Sequence, residues 1–277
     1  AFSNQFSQSI NINPAGIWMR EEGIKKILAR FSNQTAFRIQ RKTRKEDEAA
    51  RFNPFANPEN EENLISQSSS IRNTFFFNRS SSKFGADYTF SDQTSKTPLT
   101  SGFEERDNFA NILRVRYNFT SKYGAILEQE FGTRQSASDF LEGRNYTIDY
   151  LSLKPTFSYQ PSTEFRLNFT GQFTNKENAQ DLGGETADIV DFGADARLSQ
   201  IEKGTYFIQI NYITIDYVGQ ANNSLSYEML DGLQNGENIT WGAGIQRQLG
   251  RNLQLSLTYN GRKSEESRAI HTGNVQV

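Results

Sequence analysis

The segment NLQLSLTYNG, residues 252–261, alternates without a slip. Leu253, Leu255, Leu257 and Tyr259 fall on one face, Gln254, Ser256, Thr258 and Asn260 on the other. A period of two marks a β-strand with unlike faces. The same period recurs along the chain and predicts strands near 4–12, 20–31, 35–43, 68–78, 83–92, 108–119, 124–133, 146–159, 163–174, 187–199, 204–217, 238–249, 252–261 and 273–277. That is about 14, an even number of the kind that closed membrane barrels use. The stretch GIKKILARF within 20–31 also carries helical spacing. Either the apolar faces pack on a second sheet or a helix in a soluble fold, or they form the lipid-facing outside of a barrel with a polar interior.

The connections favour the barrel. Short links at 31–34, 78–83, 120–124, 159–163, 199–204 and 249–252 take turns with long polar stretches at 43–67, 93–107, 133–145, 175–186, 218–237 and 262–272. Short periplasmic turns alternating with longer extracellular loops belong to outer-membrane barrels. With the first strand rising from the periplasm and the last descending beside it, closure joins the two ends.

Hairpin registers sharpen this reading. Around Lys122, pairing Leu113 with Phe131, Tyr117 with Leu127 and Phe119 with Ala125 also sets Arg114 against Glu130 and Arg116 against Glu128. Around Arg251, Leu249 meets Leu253, Ile245 meets Leu257 and Ala243 meets Tyr259, with Gln248 on Gln254 and Gln246 on Ser256; Arg247 lands on the apolar face near a rim, where its head can snorkel. A third hairpin pairs Tyr159 with Phe165, Phe157 with Leu167 and Pro155 with Phe169. Proline donates nothing to a ladder, so Pro155 predicts a bulge or a lost hydrogen bond. In 204–217 the apolar set changes from Tyr206, Ile208, Ile210 and Tyr212 to Ile213, Ile215 and Tyr217, which predicts a bulge near 212.

The polar face then collects Arg72, Asp87, Arg114, Arg116, Glu128, Glu130, Asp149, Lys154, Arg166, Asp191, Asp195 and Arg197. A selective pore tends to line its constriction with one sign of charge. Interleaved signs point instead to a lumen that neutralises itself. Phe75, Phe77, Tyr88, Phe90, Phe119, Phe165, Tyr206 and Tyr259 fall in the outward band and its girdles. Two loops carry apolar residues where water is expected, and both are candidate partner contacts: Phe52 and Phe55 in 43–67, and Tyr227, Met229 and Leu230 in 218–237. The second also has the spacing of one amphipathic helical turn that folds inward as a plug or outward as a contact patch.

Composition agrees with these faces. Hydrophobic residues are 35% of 277, against roughly 45–50% in an average soluble domain. A wet interior removes the shortfall. The net charge of −2 gives no general affinity for nucleic acid. The chain holds no cysteine, hence no disulfide framework or thiolate metal site. No apolar run reaches transmembrane-helix length, and AFSNQFSQS lacks the pattern of a signal peptide. Calcium-loop and phosphate-loop spacings are missing too. The single histidine, His271, sits in SRAIHTG near Glu266 and Ser267 in an expected outer loop, with nothing that orients it towards a serine. No catalytic residue, cofactor or metal is expected, and the chain reads as no enzyme.

The stretches FSNQTAFRIQRKT, IRNTFFFNRS, EMLDGLQNGENITW and NLQLSLTYNGRKSEESRAIHTGNVQV resemble the C-terminal β-barrel region of large, mostly uncharacterised outer-membrane proteins of the Bacteroidota. The likeness spans nearly the whole chain and implies location and architecture, with no catalytic residue to carry over. Members end in a strand closing on aromatic residues; this chain stops at Val277, which predicts a fragment or a truncation. The expectation is an all-β transmembrane antiparallel up-and-down barrel over 1–277, in the outer membrane of a Gram-negative bacterium. Its expected role is anchor or scaffold in a multi-protein export, assembly or uptake complex, in contact with outer-membrane lipid and other envelope proteins. The alternatives are a channel for small or hydrophobic solutes and, third, a hydrolase dependent on His271.

Overall fold

The computed structural model describes residues 2–13, 23, 27–45, 63–138, 140–200, 204–250, 253–265 and 267–276. The strands run β1 Phe2–Ile12, β2 Phe31–Thr43, β3 Leu64–Phe77, β4 Phe84–Pro98, β5 Phe103–Asn118, β6 Tyr123–Ser138, β7 Tyr146–Tyr159, β8 Phe165–Asn178, β9 Thr186–Gln200, β10 Gly204–Val218, β11 Gly236–Gly250, β12 Leu253–Ser264 and β13 Ile270–Gln276. They form one 13-stranded sheet in which each strand pairs, antiparallel, with its neighbours in sequence. An α-helix, α1 at Ser224–Met229, lies between β10 and β11.

Among the described residues the count is thirteen rather than fourteen. The expected strand at 20–31 lies mostly outside the described residues, and where it is described Ile27 and Leu28 are helical. At Ile27 and Leu28 the helical spacing prevails over alternation. β1 pairs straight onto β2, with Ile12 opposite Asn33 and Phe2 opposite Thr43. We call the rim that carries α1 the upper rim. β1 therefore starts at the upper rim and ends at the lower one, opposite to the expected direction. β13 runs the same way as β1.

The strands are longer than the sequence pattern suggests, so most of the long loops shrink. The link between β4 and β5 is residues 99–102, that between β8 and β9 is 179–185, and that between β12 and β13 is 265–269. Of the long loops expected, 219–235 stays long at the upper rim, and 43–67 lies mostly outside the described residues. The turn expected at 31–34 is the start of β2.

Two registers sit two residues from the expected ones. In β5–β6, Arg114 is opposite Glu128, Tyr117 opposite Ala125 and Asn111 opposite Phe131. In β7–β8, Tyr159 is opposite Leu167 and Phe157 opposite Phe169. A slip of two keeps every side chain on its face, so matching apolar with apolar cannot detect it. The turn decides: Phe119 N–H donates to the Tyr123 carbonyl at 2.9 Å, which draws Tyr123 into the ladder. The β11–β12 register is as expected from Ala243–Tyr259 to Gln248–Gln254, after which an irregularity sets Leu253 against Gly250 rather than Leu249. At Pro155 the β7–β8 pairing lapses between Leu153–Phe173 and Thr156–Thr170 with no shift in register. The missing donor costs a bond and makes no bulge.

No bulge occurs near 212 either, because β10 keeps one register with β9 and β11 through this point. What changes is the environment. Ile213, Ile215 and Tyr217 lie on the face that α1 covers, and are buried with Leu225, Met229 and Leu230 of the helical segment. Tyr146, Ile148, Ala187 and Ile189 join them from β7 and β9. Each large apolar side chain so buried contributes about 1.5–3 kcal/mol. The helix touches β6 and β8 as well, through Arg134 and Lys176. One short helix reaching five consecutive strands, spaced about 4.8 Å apart, requires the sheet to curve around it.

Candidate functional site: a polar face closed by a helical plug

The opposite, convex face is apolar over a belt of even height. On β6, β7, β8 and β9 the belt is residues 123–131, 151–159, 165–173 and 190–198, nine residues each. That matches the roughly 9–11 residues with which a tilted strand crosses a bilayer. Large side chains in it have no cover: Phe169 is 50% exposed, Phe192 55% and Ile208 60%. Aromatic pairs edge the belt. Near the lower rim Phe31 meets Phe77 at 4.9 Å and Tyr123 stacks on Tyr159 at 4.9 Å. Near the upper edge Phe90 meets Phe109, Phe173 meets Phe192, and Trp241 lies over Gly261, where a Cβ would sit 2.2 Å from the indole. His271 is on this face and within β13, not in a loop; its Nδ1 is 2.8 Å from the Tyr259 hydroxyl. Above the belt the same face turns polar, with Asp149 accepting from Thr133 at 2.6 Å and Asp188 from Asn175 at 2.8 Å. Asp149 was expected on the inner face; its odd position on β7 puts it outside, just past the belt.

The concave face carries the charges. Register places Arg114, Arg116, Glu128, Glu130, Lys154, Arg166, Asp191 and Asp195 on it, together with Arg72, Asp87 and Arg197. Arg114 Nε donates to Glu128 at 2.8 Å, and the Tyr150 hydroxyl donates to Glu130 at 2.8 Å. Asn168 donates to Asp195 at 2.9 Å, Arg166 Nη2 to Gln160 at 2.9 Å, and Arg116 Nη2 to the Ser81 carbonyl at 2.9 Å. Lys154 is opposite Glu128 on the neighbouring strand. Asp191, opposite Gln172 and Ile213, keeps one oxygen buried without a partner among the described residues.

The plug closes this face at the upper rim. Asn223 caps α1: its side chain accepts from Ser226 N–H at 2.6 Å while the Ser226 hydroxyl accepts from Asn223 N–H at 3.0 Å. After the helix, Asp231 and Gly232 take positive φ, 52° and 75°, the usual left-handed stop. Lys176 holds that end. Its Nζ, on a side chain 4% exposed, donates to the Met229 carbonyl at 3.0 Å, the Glu228 carbonyl at 3.4 Å and Asp231 at 2.8 Å. Arg134 pairs with Glu228 at 3.1 Å. Cations at helix C-terminal carbonyls are favourable because those carbonyls lack helical partners.

Met229, 0% exposed, and Leu230 are turned into the sheet. Neither is the surface contact that the sequence suggested. Tyr227 does face solvent, at 70% exposure. Phe52 and Phe55 lie outside the described residues. The sequence reading missed Lys176, Arg134, Glu228 and Asp231, all within stretches taken as loops. The signal was alternation running past the apolar belt, as in Thr133–Arg134–Gln135–Ser136, where only the outward residue type had changed.

The fold is thus an all-β, up-and-down antiparallel sheet with one apolar and one polar, plugged face. No protein-family model matches the chain, and no curated protein matches it. Among solved structures it is similar to the translocator domain of the autotransporter NalP from Neisseria meningitidis, at 11% identity and a TM-score of 0.33, over 99% of this chain and 85% of that one.

Proposed function

We propose that the sheet closes into an outer-membrane β-barrel that serves as an anchor or scaffold subunit of a larger envelope complex, rather than as an open pore or an enzyme. The observation that carries this reading is the uncovered apolar belt backed by a polar face that α1 covers at the upper rim. Soluble proteins rarely expose apolar patches beyond a few hundred Å², whereas lipid covers such a belt and tolerates no unpaired strand edge. The interleaved charges of the concave face and the docking of α1 at the upper rim support a static role. The resemblance to Bacteroidota outer-membrane proteins points the same way on location.

Planar-bilayer recording separates the readings. The wild-type protein should insert and give no steady conductance, while a variant with residues 221–234 replaced by a Gly-Ser linker should open a stable one. A steady wild-type current would favour the channel, the second reading. Extraction in mild detergent with stoichiometric companions is the matching positive result for the scaffold; a lone or self-associated barrel would count against it.

A further inference from the structure

Beside the plug, on its solvent side, lies a cavity of about 620 Å³ between the end of β10 and the segment that follows α1. No charged side chain lines it, although 22% of the chain is charged. The lining is instead amide and tyrosine: Asn222, Asn223, Gln234 and Asn235 with Tyr217 and Tyr227, over a floor from Leu230 and Leu233.

Several of these groups have hydrogen-bonding capacity that no partner among the described residues takes up. Asn235 accepts from Tyr217 N–H at 2.9 Å through its oxygen, which leaves its amide N–H pair without a partner among the described residues. Asn222, held at a φ of 63°, and the Gln234 side chain make no side-chain hydrogen bond among the described residues. The Tyr227 ring is presented in one place: a Cβ on Gly232 would stand 3.2 Å from its Cε2 and Cζ, so glycine backbone supports the ring while 70% of the residue stays open.

We propose that this cavity is a binding site for a neutral oligosaccharide built of hexose units. A pyranose offers hydroxyls that both donate and accept, and an apolar C–H face. Neutral amides supply both hydrogen-bonding senses without the desolvation cost of a charge, and an aromatic ring with a polar tip matches the C–H face. The absence of charge from the lining selects against phosphates, acidic sugars and charged peptides. The volume falls within the usual roughly 300–1,000 Å³ of ligand sites. The site is independent of whether the lumen conducts.

The test uses the full chain purified in an amine-oxide detergent, because maltoside headgroups would compete. Saturation-transfer NMR is recorded with maltohexaose, cellohexaose and mannohexaose. At least one should receive transfer through its ring C–H protons. Tyr227→Ala should weaken that binding about tenfold, the size of one lost aromatic contact, Tyr227→Phe should retain most of it, and Asn222→Ala should weaken it several-fold. Unchanged melting temperatures show that the variants fold. The proposal is overturned if none of the three sugars binds, if binding survives Tyr227→Ala, or if an uncharged peptide binds in their place. A conducting wild-type protein that still binds sugar would sink the scaffold reading and leave this one standing.

Discussion

Lys176 shows how much one side chain decides. It sits on β8 opposite Tyr150, sends its ammonium to two carbonyls at the end of α1 and to Asp231, and is almost wholly shielded from solvent. Hydrogen bonds to a charged group are worth about 1.5–3 kcal/mol, and leaving buried acceptors unpaired costs a similar amount. Lys176→Met should therefore loosen the plug without unfolding the sheet. Amide exchange at 225–230 should accelerate at least tenfold while the mid-strand amides of β7 and β8 stay protected; equal protection in variant and wild type would show that the apolar cluster alone holds α1. By contrast, the Arg114–Glu128 pair, with side chains 50% and 20% exposed, belongs with the partly solvated pairs worth about 0–1 kcal/mol. Sequence alone could not rank these two sites. It shows the charges of the polar face plainly, through alternation, but Lys176 is distinguished only by a helix that arrives from fifty residues downstream.

Among the elements, the strands were legible wherever one face was apolar and the other polar, as in β6, β8 and β12. They became illegible where both faces turned polar above the belt, and β4, β5, β6 and β8 accordingly read too short. β10 was misread for a different reason, since Tyr206, Ile208, Ile210 and Tyr212 lie on the outer face and Ile213, Ile215 and Tyr217 on the face towards α1. Register was beyond the reach of alternation for slips of two, and turn hydrogen bonds settled it. Pro155 is the local fault in the ladder: it pairs with Leu127 on β6 but makes no bridge to β8. Pro155→Val restores a donor aimed at β8 opposite Gly171, where a glycine leaves room for the new side chain. This variant should gain about 1 kcal/mol and melt a few degrees higher; a lower melting temperature would mean that the gap serves the fold as it stands.

For the whole molecule, the strand count sets the terms on which the sheet can close. β1 and β13 run in the same direction, so joining them directly makes one parallel pair in an otherwise antiparallel ring. If the proposed barrel forms, by that pair or with a further strand between them, unboiled protein should migrate faster in SDS gels than boiled protein, since a closed ladder without edges resists detergent. Identical mobility before and after boiling would indicate that the sheet remains open. The height of the sheet has a different consequence. Strands of up to 16 residues carry an apolar belt of nine, so the proposed barrel rises above its lipid as a stiff hydrogen-bonded collar instead of a fringe of loops. The four-residue hairpin at 99–102 crowns that collar. A short epitope spliced there would be displayed on a rigid stalk clear of the lipid headgroups, within reach of an antibody on an intact cell, and the surface topology of the chain could be mapped without disturbing the plug.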